Sequence, residues 1–180
     1  DPGAPLPVAD ASATATVGLA CEIQVADCLP VLFADRSGRA VAAAHAGWRG
    51  LAGGVLEATL AAVCELAGQP PEAIEAWLGP CIGPAQFEVG ADVLRAFGAD
   101  PAALTDSTRF TRRIGTGEAP KWLADLAGLA RDRLAAAGTV HLQGNDGSAA
   151  WCTVTNAQRY FSYRRDRHTG RMAALIWRST

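Results

Sequence analysis

Cys28, in the segment ADCLP, and His45, in HAGWRG, are the two residues of this chain whose types and spacing can do chemistry together. A turn over Asp35–Gly38 folds the chain between them into a hairpin. Each lies seven residues beyond one end of that turn, so the hairpin should set them face to face. Directly opposed residues have Cβ atoms about 4.5 to 5.5 Å apart. One zinc ion spans that gap, at about 2.3 Å from sulfur and about 2.0 Å from nitrogen. A thiol nucleophile with an imidazole base needs the same contact. Against both stands the ordinary use of such residues, a buried structural thiol and a satisfied strand-end histidine. A bulge, or an early strand exit at Pro30, would shift the register.

After His45 come Gly47, Trp48, Arg49 and Gly50, with a helix opening within a few residues. Glycine lets backbone N–H groups approach an anion, and the fork of Arg49 can hold one by two parallel bonds. Arg49 reads equally well as a surface arginine stacked on Trp48, and Trp48 as a wall for a flat ring.

The elements that must position these residues follow from periodicity. Leu19, Cys21, Ile23 and Val25 alternate with polar or small residues, which predicts a strand over Gly18–Val25. VLFA, the DRSG turn and RAVAAAH make the hairpin; LAGGVLEATLAAVCELAG predicts one helix stopped by Gly68. EAIEAWL reads as a short strand and ADVLRAFG as a short helix, with a loop over DPAALTDSTRFTRRIGTGE. KWLADLAGLARDRLAAAG, carrying Trp122, Leu123, Leu126, Leu129 and Leu134, predicts an amphipathic helix ended by Gly138. A strand TVHL and a terminal pair of strands, RYFSYRRD and RMAALIW around the turn DRHTG, complete the chain, and Trp77, Trp122 and Trp177 are expected in the core. The expectation is one domain over residues 1–180, of mixed α/β (α+β) class, with a mixed or largely antiparallel sheet and covering helices.

Composition excludes several functions. Net charge is −2, with a single lysine, Lys121, and dispersed arginines, so there is no basic stripe for nucleic acid. Charged residues or glycine interrupt every apolar run before the roughly 20 residues of a membrane span. Five widely spaced cysteines without a CxxC pair point to a reducing, cytoplasmic compartment. A multicopper oxidase needs roughly ten imidazole, thiolate and thioether ligands. Three histidines and one methionine do not supply them. Oligomeric state is left open.

Four blocks, ADCLPVLFAD, AAAHAGWRG, LGPCIGPAQFEVGADV and FSYRRDRHTGRMAALIW, resemble in order and spacing the signature blocks of the laccase-domain family, the YfiH-like proteins once called multicopper polyphenol oxidases. The resemblance runs from about Asp10 to the end. It implies a YfiH-like fold and a catalytic zinc held by three residues, two of which fall on Cys28 and His45. The family's remaining ligand is a histidine in an upstream block with no counterpart here, so the resemblance implies a missing upstream segment and an incomplete zinc site. Cys81, in a glycine-flanked loop, is the best substitute; His168, in an exposed turn, and His141, on a strand, are poorer ones. Copper would be a non-native metal.

The resemblance further implies zinc-dependent phosphorolysis of adenosine, inosine or methylthioadenosine and hydrolytic deamination of adenosine, with purine nucleoside and phosphate as partners. Cys28, His45 and Arg49 are then the expected catalytic residues, and Gly47, Trp48 and Arg164 the expected substrate contacts. If SYRRD is a strand, alternation lets at most one of Arg164 and Arg165 face the site. Asp27 either caps its loop or orients a proton. The alternatives are a Cys–His hydrolase or amidase editing peptidoglycan precursors, polyphenol oxidation, and a binding domain whose Cys and His are structural.

Overall fold

The computed structural model describes residues 8–103, 107–113 and 119–179. The chain opens with β1 (Ala11–Thr14), β2 (Ala20–Val25), β3 (Leu29–Asp35) and β4 (Val41–Ala46). Helices α1 (Trp48–Ala52) and α2 (Val55–Ala67) lead to β5 (Ile74–Leu78), β6 (Glu88–Val89) and α3 (Ala91–Ala96). Then come β7 (Phe110–Arg113), β8 (Lys121–Ala124), α4 (Leu126–Ala136), β9 (His141–Gly144), α5 (Tyr163–Asp166) and β10 (Met172–Trp177).

A five-stranded sheet, ordered β1-β4-β3-β5-β9, is the platform. Its pairings are antiparallel except β5 with β9. The expected mixed, largely antiparallel sheet is therefore present. Leu29, Val31 and Phe33 alternate onto one face, where Leu56, Leu60 and Val63 of α2 cover them in the main core. Burial of each such side chain is worth about 1.5–3 kcal/mol, which is what pins the helix to the sheet. On the other face lies a ribbon of β2 and β10, whose Cys21, Ile23, Ala174 and Ile176 pack on Leu32 and Ala43.

Several expectations are corrected. The single helix after Arg49 is two, because Gly53 and Gly54 intervene and Gly54 takes φ +92°, closed to a continuing helix. Ala11–Thr14, which has no clear period, is an edge strand drawn out by pairing with β4. Lys121–Ala124 is strand rather than helix: Trp122 is buried between β6 and β7, and the helix starts only after Asp125, whose side chain accepts the Gly128 N–H. Part of the expected loop before it, Phe110–Arg113, is strand β7; residues 104–106 and 114–118 of that loop lie outside the described residues. SYRRD is the short helix α5, capped by Ser162, which accepts the Arg165 N–H. RMAALIW therefore pairs with β2 instead, and this leaves Trp177 57% exposed rather than in the core.

Candidate active site

The hairpin places Cys28 and His45 by a register other than the symmetric one. Gly38 N–H donates to Asp35 O (2.7 Å), as the turn signal predicts, but Asp35 N–H donates to Ala40 O (3.0 Å). Gly38 and Arg39 are thus both taken up in the connection, and His45 stands opposite Pro30. Cys28 lies just before β3 and falls beside Gly47. A Cβ on Gly47 would lie 3.1 Å from Cys28 Sγ and 3.9 Å from His45 Nε2. The thiol and the imidazole thus converge on one small space that is open because residue 47 has no side chain. The expected direct opposition of the two is not found; they border the same space through a register shifted by two.

The other imidazole nitrogen, Nδ1, lies 3.5 Å from Asp10 Oδ1. Strand pairing sets this up, since His45 N–H donates to Asp10 O (2.7 Å). Sequence reasoning missed Asp10, which precedes a strand with no periodic signal. Burial pushes the Cys28 thiol above its usual range, and the carboxylates of Asp27 and then Asp10 push it further. Only Arg171, another residue the sequence did not single out, pulls the other way. A nucleophilic thiolate wants positive surroundings, and burial here works the other way.

Asp27 does not cap its own loop; its carboxylate reaches segments remote in sequence. Its carboxylate is buried and accepts from Thr153 Oγ1 (2.6 Å) and from the Arg164 N–H (2.6 Å). The Arg164 guanidinium donates to the carbonyls of Gln86 and Glu88, against the Phe87 ring. A helix, unlike a strand, does not send residues 164 and 165 to opposite faces. Arg165 is used structurally, donating to the Thr153, Val154 and Tyr160 carbonyls. Arg49 is exposed, with its guanidinium 4.3 Å from the Trp48 ring centroid, so that ring face is already covered.

The Cys81 thiol is buried, accepting from Asn145 Nδ2 (3.4 Å). His141 Nε2 meets Arg36 on the edge strand, 2.9 Å away, and His168 is exposed. Among the described residues no three His, Cys, Asp or Glu side chains are grouped to hold a metal, so Cys81 does not complete the site. A cleft of about 240 Å³ runs from Pro30, opposite His45, between the sheet and the ribbon, with Leu32, Trp77, Pro80 and Met172 in its walls. Trp77 is thus partly a cleft wall, held edge-on by Trp151 at 6.1 Å. No helix among the described residues is long and apolar enough to cross a membrane.

Residues 1–179 match the family model described as multi-copper polyphenol oxidoreductase laccase. Purine nucleoside phosphorylase YfiH of Escherichia coli is 50% identical over 169 residues, 94% of this chain and 63% of its own length. A purine nucleoside phosphorylase of Xylella fastidiosa is 43% identical over 171 residues, 95% of this chain and 61% of its own. Among solved structures, a Neisseria meningitidis protein superposes with a TM-score of 0.81 at 50% identity, covering 96% of this chain and 65% of that one. YlmD of Geobacillus stearothermophilus gives 0.81 at 31% identity, covering 97% and 63%. The chain spans under two thirds of the length of these curated relatives.

Proposed function

The chain belongs to the family described as multi-copper polyphenol oxidoreductase laccase, and from that premise we propose that it carries part of the active site of a zinc-dependent purine nucleoside phosphorylase that also deaminates adenosine. The names of its relatives support the phosphorylase. The observation that carries the site is the open space over Gly47 on which Cys28 Sγ and His45 Nε2 converge. It fits a zinc ion held by a thiolate and an imidazole, its remaining positions left to donors that the described residues do not supply. When bound, zinc supplies Lewis acidity at the reacting centre. Copper oxidase chemistry fits less well, because this chain has three histidines and one methionine.

The chain's own residues have distinct roles in this reading. Asp10 Oδ1, 3.5 Å from Nδ1, would steady the imidazole whose Nε2 borders the space beside Cys28. Arg49, two residues past Gly47 and steadied by Trp48, is the cation for phosphate. The cleft running from Pro30 takes the flat base against Trp77.

Asp10, His45 and Cys28 also have the order of a nucleophilic triad, the one observation favouring a Cys–His hydrolase or amidase acting on cell-wall precursors. Burial, which raises the thiol above its usual range, weighs against it. The test is release of free base from inosine and adenosine with and without phosphate, before and after chelation and zinc restoration. Phosphate-dependent release that chelation abolishes and zinc restores supports the proposal. Chelator-insensitive turnover lost to a thiol alkylator transfers the site to the nucleophile reading, and base release that is indifferent to phosphate overturns the phosphorylase.

A further inference from the structure

We propose that Asp27 is a positioning residue for Cys28, its buried carboxylate clamping distant segments together so that the neighbouring thiol is held toward His45. The inference rests on the zinc reading above and deepens it.

Asp27 lies in the bend between β2 and β3, where the chain leaves the ribbon and enters the main sheet. Its φ is +89°, the left-handed region that side chains avoid; Arg167 is the other such non-glycine residue among those described. Glycine would take this conformation freely, so the backbone alone does not ask for aspartate. The contacts do. Ile82 N–H donates to the Asp27 carbonyl at 2.9 Å. Thr153 Oγ1 donates to Oδ1 and the Arg164 N–H to Oδ2, both at 2.6 Å. Three segments that are remote in sequence, the last 137 residues away, are tied to the residue that precedes Cys28. Among the described residues the carboxylate accepts from one hydroxyl and one main-chain amide rather than from a charged side chain, and the Arg165 guanidinium lies near enough to feel its charge. Strained backbone held by over-determined contacts is how a side chain is kept in one direction at a site.

The variants separate backbone freedom from the clamp. Asp27→Gly keeps φ without strain and removes both carboxylate acceptors. Asp27→Asn keeps both contacts, its oxygen accepting from the Arg164 N–H and its amide donating to a turned Thr153 hydroxyl. Thr153→Val removes one contact only. Two readouts apply to each: the alkylation rate of Cys28 in metal-free protein, resolved by peptide mass spectrometry, and the thiolate-to-cobalt charge-transfer band on titration with Co²⁺.

For Asp27→Gly the expected result is a change of about tenfold or more in the alkylation rate and in the cobalt needed for half saturation, with a weaker band at saturation. Asp27→Asn should stay within about threefold of wild type, and Thr153→Val should fall between the two. Wild-type alkylation and an unchanged band in Asp27→Gly overturn the proposal, as does an Asn variant as impaired as the Gly variant. If Asp27→Gly does not fold, Thr153→Val decides by the same two readouts. If wild type gives no cobalt–thiolate band, the zinc reading fails, and the metal-free alkylation rates still decide the positioning role.

Discussion

Replacing Gly47 by Ala adds one methyl group at the point on which the thiol and the imidazole converge. The new Cβ would stand 3.1 Å from Cys28 Sγ, and 3.9 Å from both Cys28 Cβ and His45 Nε2. Carbon and sulfur settle at about 3.5–4.0 Å, so the sulfur must give by a few tenths of an ångström. The backbone does not object: Gly47 has φ −66° and ψ 160°, ordinary extended values, where it caps α1. Exchanging a glycine N-cap for alanine costs about 0.5–1 kcal/mol. In a domain of this size that lowers Tm by about 1–4 °C. Zinc suffers far more. A zinc ion held by Cys28 and His45 would have to share with the methyl the space that both side chains border. Loss of affinity should be at least about 10- to 100-fold, the range seen when a neighbour of a metal ligand is disturbed. The assay is zinc protection of Cys28 from iodoacetamide, read residue by residue by mass spectrometry, alongside a thermal melt. Protection of Gly47→Ala at wild-type zinc concentrations would refute the reasoning. So would a fall in Tm beyond about 10 °C, since the residue would then be structural.

Asp10→Asn should leave the β1–β4 pairing intact, because that contact is main-chain, while weakening zinc protection of Cys28 about tenfold; unchanged protection removes Asp10 from the site. Arg49→Ala should raise KM for phosphate about tenfold with kcat within about twofold, and an unchanged KM leaves Arg49 only its stacking on Trp48. The Asp35 carboxyl is pushed up by burial, but hydrogen bonds from the Arg39 and Ser37 amides and the Arg39 side chain outweigh this and hold it below its usual range. Its stabilising share is therefore present above the unfolded carboxylate range near pH 4 and lost as pH falls through the lowered value. Asp35→Ala should flatten the acid limb of a Tm-against-pH curve and cost about 2 kcal/mol at pH 7, and an acid limb identical to wild type counts against this. Helix propensity favours Gly128→Ala by about 1 kcal/mol. The added Cβ, however, would collide with the Asp125 carboxylate that caps α4 and with the Arg109 guanidinium paired to it. We expect a net loss of about 1 kcal/mol, and a higher Tm in the melt would reverse that order of effects.

What could be read from the chain alone is what depends on neighbours a few residues apart. The alternation of Cys21, Ile23 and Val25 marks a strand face, and the helical spacing of Leu56, Leu60 and Val63 marks a buried helix face. DRSG marks a turn, and the ADCLP and HAGWRG blocks single out Cys28 and His45. Tertiary structure decided whatever depends on which distant segment competes successfully for a backbone. Taking up four residues in the connection rather than two put His45 opposite Pro30, and no local signal separates those registers. RMAALIW alternates equally well against either strand, and the capping of α5 by Ser162 removed SYRRD as its partner. Asp10 reached His45 only through a strand with no pattern of its own, and Asp27 acquired its clamp from residues 126 and 137 positions away. Hydrophobic periodicity is written into each segment, whereas register, pairing partner and the donors that surround a buried carboxylate emerge only when the whole chain satisfies its backbone at once.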